Sequence, residues 1–320
     1  MMEDSLLTTI LNQVFGWVVL TVLLSWISAI GYPLISRTLV KKEAGQSALF
    51  SLLYGLLAPA ATTVTMILLS LPALSFIFVI DHCHATHCAP HTVHMQKETI
   101  KGAMLVSLIL VLLLCVSVIM LMQLLKSRQK LKLLGQLSKK STAAFRIVDS
   151  PAHLAWCVGL IRPQIYLSSG LIDALSPKQI EAVLAHELAH VVRKDNLRKW
   201  LLHWATFVWP SRFKHQIRRD LAHYIEQICD VMAAKVNSLA VVDTLERYDS
   251  LTKSGFNSSE PSYLESRREK LEQELNIHCG QKAAPLVYRL QSIGIMMFLG
   301  GAAIILSVHF GHHLLEWLLR

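Results

Sequence analysis

The stretch SPKQIEAVLAHELAHVV (residues 176–192) decides how the rest of the chain is interpreted. Ser176, Pro177 and Gln179 form a helix-start signature, with a capping residue, a proline at the first helical position and a capping-box glutamine. Apolar residues then recur with helical spacing over residues 180–192. We therefore predict a helix here, entered from a well-defined cap.

The middle of this helix carries the pattern H-E-x-x-H, formed by His186, Glu187 and His190. Two histidines four residues apart share a helix face and can bind one zinc ion, with the glutamate beside them as general base. The alternative is a polar helix face without metal, but a buried glutamate between two histidines would then be costly. The pattern predicts a catalytic zinc site that hydrolyses peptide bonds.

A catalytic zinc ion needs a third protein ligand and an open position. The metzincin continuation is missing, because Arg193 and Asn196 occupy the positions of its glycine and third histidine. Glu226 is the next glutamate along the chain, and Asp230 lies one helical turn beyond it, where it can orient a ligand histidine. The alternative for Glu226 is an exposed helix carboxylate. Two other carboxylates are weaker candidate ligands: Asp195 and Asp220.

An oxyanion donor is also expected in such a site. His223 and Tyr224, just before Glu226, are candidate catalytic residues for this role by their proximity in the sequence. The alternative is that both belong to an ordinary helix surface.

The composition indicates a membrane protein. Apolar residues make up 53% of the chain, charged residues 17%, and the mean hydropathy is +0.43, whereas soluble chains carry about 25% charged residues. A disordered or collagen-like chain is excluded. Apolar runs long enough to cross a bilayer predict four transmembrane helices, at residues 14–35, within 48–80, at 102–125 and at 292–308.

Charge position predicts the orientation. The chain carries 31 Lys+Arg against 22 Asp+Glu, and residues 126–146 contain seven basic residues and no acid, as expected on the cytoplasmic side. The loop 36–47 is also basic, so the N-terminus is expected outside, the stretch 126–291 in the cytoplasm and the C-terminal tail outside. We expect a multi-pass membrane protein, with the lipid bilayer as a partner and without a cleavable signal peptide. No nucleic-acid-binding motif accompanies the basic residues, so direct nucleic acid binding is not expected.

The fold class expected from these features is an α-helical membrane protein with four transmembrane helices and a cytoplasmic α+β metallopeptidase domain between the third and fourth spans. The domains are residues 1–125 with three spans, 126–285 with the peptidase, and 286–320 with the fourth span and a short tail. The peptidase domain should open with a basic helix on the lipid surface (126–140), followed by short strands at 145–149 and 164–168. Strand 164–168 is the candidate edge for binding an extended substrate.

Three tryptophans in 197–209 suit either the core or the membrane interface: Trp200, Trp204 and Trp209.

A second concentration of metal-ligating residues lies in 81–94, on the predicted outer face. Thiolates and imidazoles together suit Cu or Zn, so this loop is a candidate second metal site. Alternatively, the two cysteines close a small disulfide loop in an oxidising compartment. The residues are His82, Cys83, His84, His87, Cys88, His91 and His94.

Together, HELAHVVRKDN, the later E-x-x-C-D and the earlier GLIRPQIYL (residues 159–167) resemble the BlaR/MecR family of membrane zinc metallopeptidases. HtpX-like membrane proteases share part of the pattern. The resemblance implies a protein of the bacterial inner membrane whose peptidase domain is gluzincin-like. In this site His186, His190 and Glu226 would bind zinc, and Glu187 would activate the water. The resemblance also implies that an external signal leads to self-cleavage and to loss of a cytoplasmic DNA-binding repressor of the BlaI/MecI type. The penicillin-binding sensor domain of antibiotic-sensing members is missing after the fourth span, so a β-lactam signal is not expected.

Three functions remain open on the sequence alone. A signal-transducing protease would cleave itself or a repressor in response to an external signal. The loop 81–94 suggests that this signal is a metal ion or the redox state. A quality-control protease would cleave damaged proteins constitutively. A metal-binding protein without proteolytic activity would not need Glu187.

Overall fold

The computed structural model describes residues 6–39, 43–70, 100–140, 145–253 and 286–319, together with Arg267, Glu269 and Leu271. The elements follow in this order: α1 (Leu6–Leu39), α2 (Ala44–Ser70), α3 (Ile100–Leu137), β1 (Ser138–Lys140), β2 (Phe145–Val148), β3 (Ala155–Val158), β4 (Gln164–Ser168), α4 (Ser169–Ala174), α5 (Pro177–Arg193), α6 (Asp195–Ala205), α7 (Ser211–Lys253) and α8 (Leu286–Leu319). The candidate external metal loop, 81–94, lies outside the described residues.

Helices α1, α2, α3 and α8 are each long and apolar enough to cross a membrane. They lie where the sequence predicts the four spans. Helix α2 begins at Ala44 and continues through Pro59 to Ser70. Helix α3 continues past the predicted end of the span to Leu137, because the residues beyond 125 are mostly good helix formers such as Leu, Lys, Gln and Arg. The expected surface helix 126–140 is therefore the last part of α3, and its final three residues form strand β1.

The sheet has the order β1-β2-β4-β3. Strand β4 pairs in parallel with β2 on one side and antiparallel with β3 on the other. The strands expected at 145–149 and 164–168 are confirmed, but the prediction that 164–168 forms an edge is wrong. β4 is interior because the four-residue strand β3, which the sequence analysis did not identify, covers it. Among the described strands, β3 forms the sheet edge beside the helices.

Helices α5, α6 and α7 form the helical body. The capping box at the start of α5 is present: the Ser176 hydroxyl accepts from the Gln179 backbone N–H, and the Gln179 carbonyl oxygen accepts from the Ser176 N–H at 2.9 Å. Helix α5 ends at Lys194 in the left-handed conformation, with φ 53°. This turn allows α6 to begin immediately at Asp195, while α7 packs along α5.

The helical body packs directly on the first two spans. The Tyr32 hydroxyl of α1 donates to the Asp220 carboxylate of α7 at 2.9 Å. The indole N–H of Trp26 donates to the Val208 carbonyl at 3.0 Å. One hydrophobic cluster contains residues from α1 and α2 together with residues of α5, α6 and α7, so the body and these spans share a core.

The three tryptophans occupy two different environments. Trp200 and Trp204 donate their indole N–H groups to the same oxygen of Gln123 on α3, at 3.1 and 3.2 Å. Trp209 is buried in the shared core, where its ring meets those of Tyr32 and Tyr54 edge-on. These contacts hold α6 against the third span and the segment after it against the first two spans.

Candidate metal centre and active site

Helix α5 brings the two histidines of the H-E-x-x-H pattern together. One helical turn separates His186 from His190, and their Nε2 atoms lie 3.2 Å apart. Both side chains are only partly exposed, at 18% and 13%. The local sequence is sufficient to explain this pair, because residues four apart on a helix project from one face.

Helix α7 contributes Glu226 to the same point. Its Oε2 atom lies 3.5 Å from Nε2 of His186 and 3.7 Å from Nε2 of His190. The three residues form a group that can hold a metal ion. Two ligands of a tetrahedral zinc ion lie about 3.3 Å apart when each bond is about 2.0–2.1 Å long. The spacing of the three atoms therefore fits one zinc ion.

Each histidine is oriented by a buried aspartate. Nδ1 of His186 lies 2.9 Å from the Asp230 carboxylate, and Nδ1 of His190 lies 3.0 Å from the Asp195 carboxylate. A ring that donates from Nδ1 presents its Nε2 lone pair to the metal. The two aspartates thus direct the Nε2 lone pairs of His186 and His190 toward the point that Glu226 also faces.

The structure places the four downstream carboxylates in different roles. Glu226 reaches the histidine pair, and Asp230 lies behind His186 as an orienting residue. Asp195, weighed as a ligand, is 1% exposed and lies behind His190, where Arg193 also approaches it at 3.4 Å. Asp220 faces Tyr32 at the interface with α1 and does not contribute to this group.

These hydrogen bonds set the protonation of the site without metal. Burial acts to lower the pKa of His186, but the hydrogen bonds to Asp230 and Glu226 outweigh it and raise the pKa to about 9. Burial likewise acts to raise the pKa of Glu226, and its bonds with the two histidines hold that pKa well below its ordinary value. A metal ion must therefore displace a proton from the histidines as it binds.

Glu187 lies beside the ligands with its side chain buried, at 8% exposure. Burial is the main cause that raises the pKa of this carboxyl, and the two histidines oppose it. A carboxylate with a raised pKa is a stronger base than an exposed glutamate, as general-base catalysis requires.

Sequence reasoning missed two cations of the site. The Nζ atom of Lys199 on α6 lies 3.4 Å from Oε1 of Glu226, the oxygen that faces away from the histidines. Arg267 donates two hydrogen bonds to Asp230, from Nε at 2.8 Å and from Nη2 at 2.6 Å. No short motif links these residues to H-E-x-x-H, so only the tertiary arrangement could reveal them.

The two candidate oxyanion donors lie in different environments. Tyr224 is 5% exposed and belongs to the core shared with the spans, where burial raises its pKa to about 12. Nε2 of His223 lies 2.7 Å from the side-chain nitrogen of Gln227, one turn further along α7. Tyr224 therefore packs toward the spans, and His223 pairs along its own helix.

Strand β3 runs beside the metal-binding helix α5. The Asn196 amide of α6 donates to the carbonyls of Cys157 and Gly159, at 3.0 and 3.2 Å. The chain turns at Gly159, whose φ of 119° strongly favours glycine. This bond fixes the end of the edge strand to the helix that carries Lys199.

A cavity of about 440 Å³ opens at this end of β3. Strand β3 and helices α3 and α6 each contribute to its wall. The wall includes Gln123, Ser127, Cys157, Lys199, Trp200 and His203. Through Lys199, the cavity adjoins Glu226 of the metal-binding group.

Residues 128–245 match the sequence model of Peptidase family M48. The matched region begins in α3, contains the sheet, and includes both histidines, Glu187, Glu226 and Asp230. The match indicates a metallopeptidase of a membrane-associated type, in a family where zinc dependence is typical. No curated protein matches the chain, and no solved structure does.

Proposed function

We propose that this protein is a zinc metalloendopeptidase of the membrane, with His186, His190 and Glu226 as zinc ligands. The observation that carries the proposal is the convergence of three ligand atoms at zinc spacing while both Nδ1 atoms are held by carboxylates. Glu187 beside them supplies a base, which a site for metal binding alone would not need.

Zinc would supply Lewis acidity to the scissile carbonyl and to the attacking water. Glu187 takes the proton from that water and passes it to the leaving amine. Its burial favours this step, because the carboxylate is poorly solvated and its basicity is raised. Asp195 and Asp230 hold the two imidazoles in place throughout.

Strand β3 offers an extended substrate a place to pair. The Cys157 carbonyl points away from β4, since it accepts from Asn196. In an antiparallel ladder the N–H and C=O of one residue point to the same side. The N–H of Cys157 and both groups of Ala155, two residues earlier, therefore lie on the open edge. We infer that a substrate strand pairs there, beside helix α5.

The test of hydrolysis compares wild type with Glu187→Gln in zinc-loaded, purified full-length protein. We expect Glu187→Gln to keep its zinc and to lose peptide cleavage by about 10²-fold or more. Glu181→Gln, an exposed change on the same helix, is the matched control and should cleave like wild type. Glu226→Ala should lose zinc itself. Normal cleavage by Glu187→Gln would overturn the mechanism.

We further propose that the peptidase is a signal transducer of the BlaR/MecR type in the bacterial inner membrane. In this proposal the N-terminus and C-terminus lie outside and the metal site faces the cytoplasm. The substrate is the protein itself or a BlaI/MecI-like repressor. The core that α1 and α2 share with the helical body supports it, because a movement of these spans would reach the helices that carry the site.

The signal proposed for this transducer is metal or redox state at the loop 81–94, with Cu or Zn as the second metal. Membrane vesicles with and without external Cu or Zn, analysed by mass spectrometry of the fragments, test it. Cleavage only with metal, lost when Cys83, His84, His87 and Cys88 are replaced, is the expected result. Metal-independent cleavage of many proteins would favour an HtpX-like quality-control protease instead.

A further inference from the structure

The cavity at the end of β3 has an uneven distribution of charge. Among the described residues that line it, Lys199 is positively charged and none is a carboxylate, while Glu226, which pairs with Lys199, lies outside the lining. The side chain of Lys199 is 39% exposed, so its ammonium group remains accessible from the cavity. A cation in a cavity whose described lining contains no acid favours a negative ligand over a positive one.

Lys199 also has unused donor capacity. An ammonium group has three N–H donors, and the contact with Oε1 of Glu226 occupies one direction. Lys199, His203 and Asn196 lie three or four residues apart on α6, so they share the face that lines the cavity. The two remaining donors of Lys199 are therefore available to a ligand between α6 and α3.

The opposite wall of the cavity comes from a membrane helix. Gln123 and Ser127 of α3 line it, and Gln123 is fixed by the indole groups of Trp200 and Trp204. Ser127 lies within residues 126–146, which contain seven basic residues and no acid. Both walls thus favour an anionic or polar group over a basic one.

The cavity is also placed to receive a substrate side chain. Its wall includes Cys157, Val158 and Gly159, at the end of the edge on which we infer that the substrate pairs. Lys199 connects it directly to the zinc ligand Glu226. A residue close to the scissile bond would therefore project its side chain into this space.

We propose that this cavity is a specificity pocket for an acidic side chain, Asp or Glu, of the substrate peptide. Lys199 binds the carboxylate, and Ser127 and Gln123 of the third span form the facing wall. The inference rests on the proposed peptidase function, and it adds a substrate preference. It also makes a transmembrane helix part of the substrate site.

The test uses binding, so that it does not depend on cleavage. Zinc-loaded Glu187→Gln protein in zwitterionic lipid nanodiscs is titrated with fluorescent decapeptides that carry Glu, Gln, Ala or Lys at each central position in turn. At one position we expect the Glu peptide to bind about tenfold more tightly than the Gln peptide, and the Lys peptide to bind most weakly. Equal affinities at every position would overturn the proposal.

Two variants at Ser127 then locate the effect without touching the metal site. Ser127→Glu should abolish the preference for Glu, and Ser127→Lys should increase it. Gln129→Glu, exposed on the same helix, makes the same change in net charge as Ser127→Glu and should leave the preference intact. Loss of preference in Gln129→Glu, or its survival in Ser127→Glu, would contradict the assignment. Failure of wild type to cleave any peptide would instead refute the proposed function alone.

Discussion

His186 and His190 each give one ring nitrogen to the metal position and the other to a buried aspartate. This division of roles strengthens zinc binding, because the aspartate fixes both the orientation of the ring and its tautomer before the metal binds. Asp230 is in turn held by Arg267, and Asp195 by the neighbouring arginines. The proposed zinc ligands are thus the inner part of a buried network of charges.

At this scale we predict that Asp195→Asn lowers zinc affinity by about ten- to a hundredfold. Asparagine keeps the size of the side chain but removes the negative charge that stabilises the His190 imidazole. The same charge attracts Arg193, whose Nε atom lies 3.4 Å from Asp195. Competition against a chromophoric chelator measures the affinity. Asp243→Asn is the control, because Asp243 accepts from Gln179 at 2.7 Å outside the metal-binding group. Wild-type affinity in Asp195→Asn would show that orientation by this aspartate is unimportant.

At the scale of elements, the site depends on helices α5 and α7 lying side by side. Each helix supplies ligands, and each carries a residue that the other needs: Asp230 of α7 orients His186 of α5. Arg267 comes from the part of the chain between α7 and α8, and it fixes Asp230 from behind. Leu271, one turn later, is buried against the same helices.

We predict that Arg267→Met weakens zinc binding by about tenfold, because Asp230 loses the pair of hydrogen bonds that holds it against His186. Arg267→Lys should fall between this variant and wild type, since a lysine cannot make both bonds at once. Isothermal titration with zinc measures the change. Glu269→Gln, exposed and two residues away, is the control. If both arginine variants bind zinc like wild type, the bonds seen here do not support the site.

At the scale of the whole molecule, the peptidase helices and the first two spans form one packed unit. Gly55 of α2 marks a close approach, because a Cβ atom at this position would overlap with Cδ1 of Leu202 on α6. Leu202 is 1% exposed, so it has no open space into which to move. Helix α6 of the peptidase therefore packs directly against membrane helix α2.

Gly55→Val should reduce the stability of the protein by about 1–3 kcal/mol, the usual cost of overpacking a filled core. Thermal unfolding of the full chain in detergent would detect the loss. Gly294→Val on α8 is the matched control, since a Cβ atom there meets no neighbour within 4 Å. Equal melting temperatures for the two variants would mean that α2 and α6 do not pack this closely.

The contact between α1 and α7 predicts a dependence on pH. Burial raises the pKa of Asp220 above its ordinary value of 3.8, while the hydrogen bond from Tyr32 acts to lower it. The folded state therefore favours the protonated carboxyl, and stability should fall as the pH rises from about 4 through the raised pKa. Asp220→Asn should remove this decline, and Tyr32→Phe should steepen it. Melting curves between pH 4 and 8 test both, and parallel curves for wild type and Asp220→Asn would contradict the interpretation.

The sequence determined the local features of this protein. The cap at Ser176, the shared face of His186 and His190 and the four apolar helices follow from helical periodicity and from hydropathy, which act over a few turns. Glu226 could also be found, because it is the first glutamate downstream and precedes Asp230 by one helical turn.

Only the tertiary structure decided which residues surround these features. The edge position of β3 depends on which strands pair, and the local pattern of a strand does not encode its place in the sheet. In sequence, Lys199 lies 27 residues from its partner Glu226, and Arg267 lies 37 residues from its partner Asp230. Asp195 reaches His190 through a left-handed turn at Lys194. The physical reason is common to all of them: such contacts arise from packing between elements, which local periodicity does not encode.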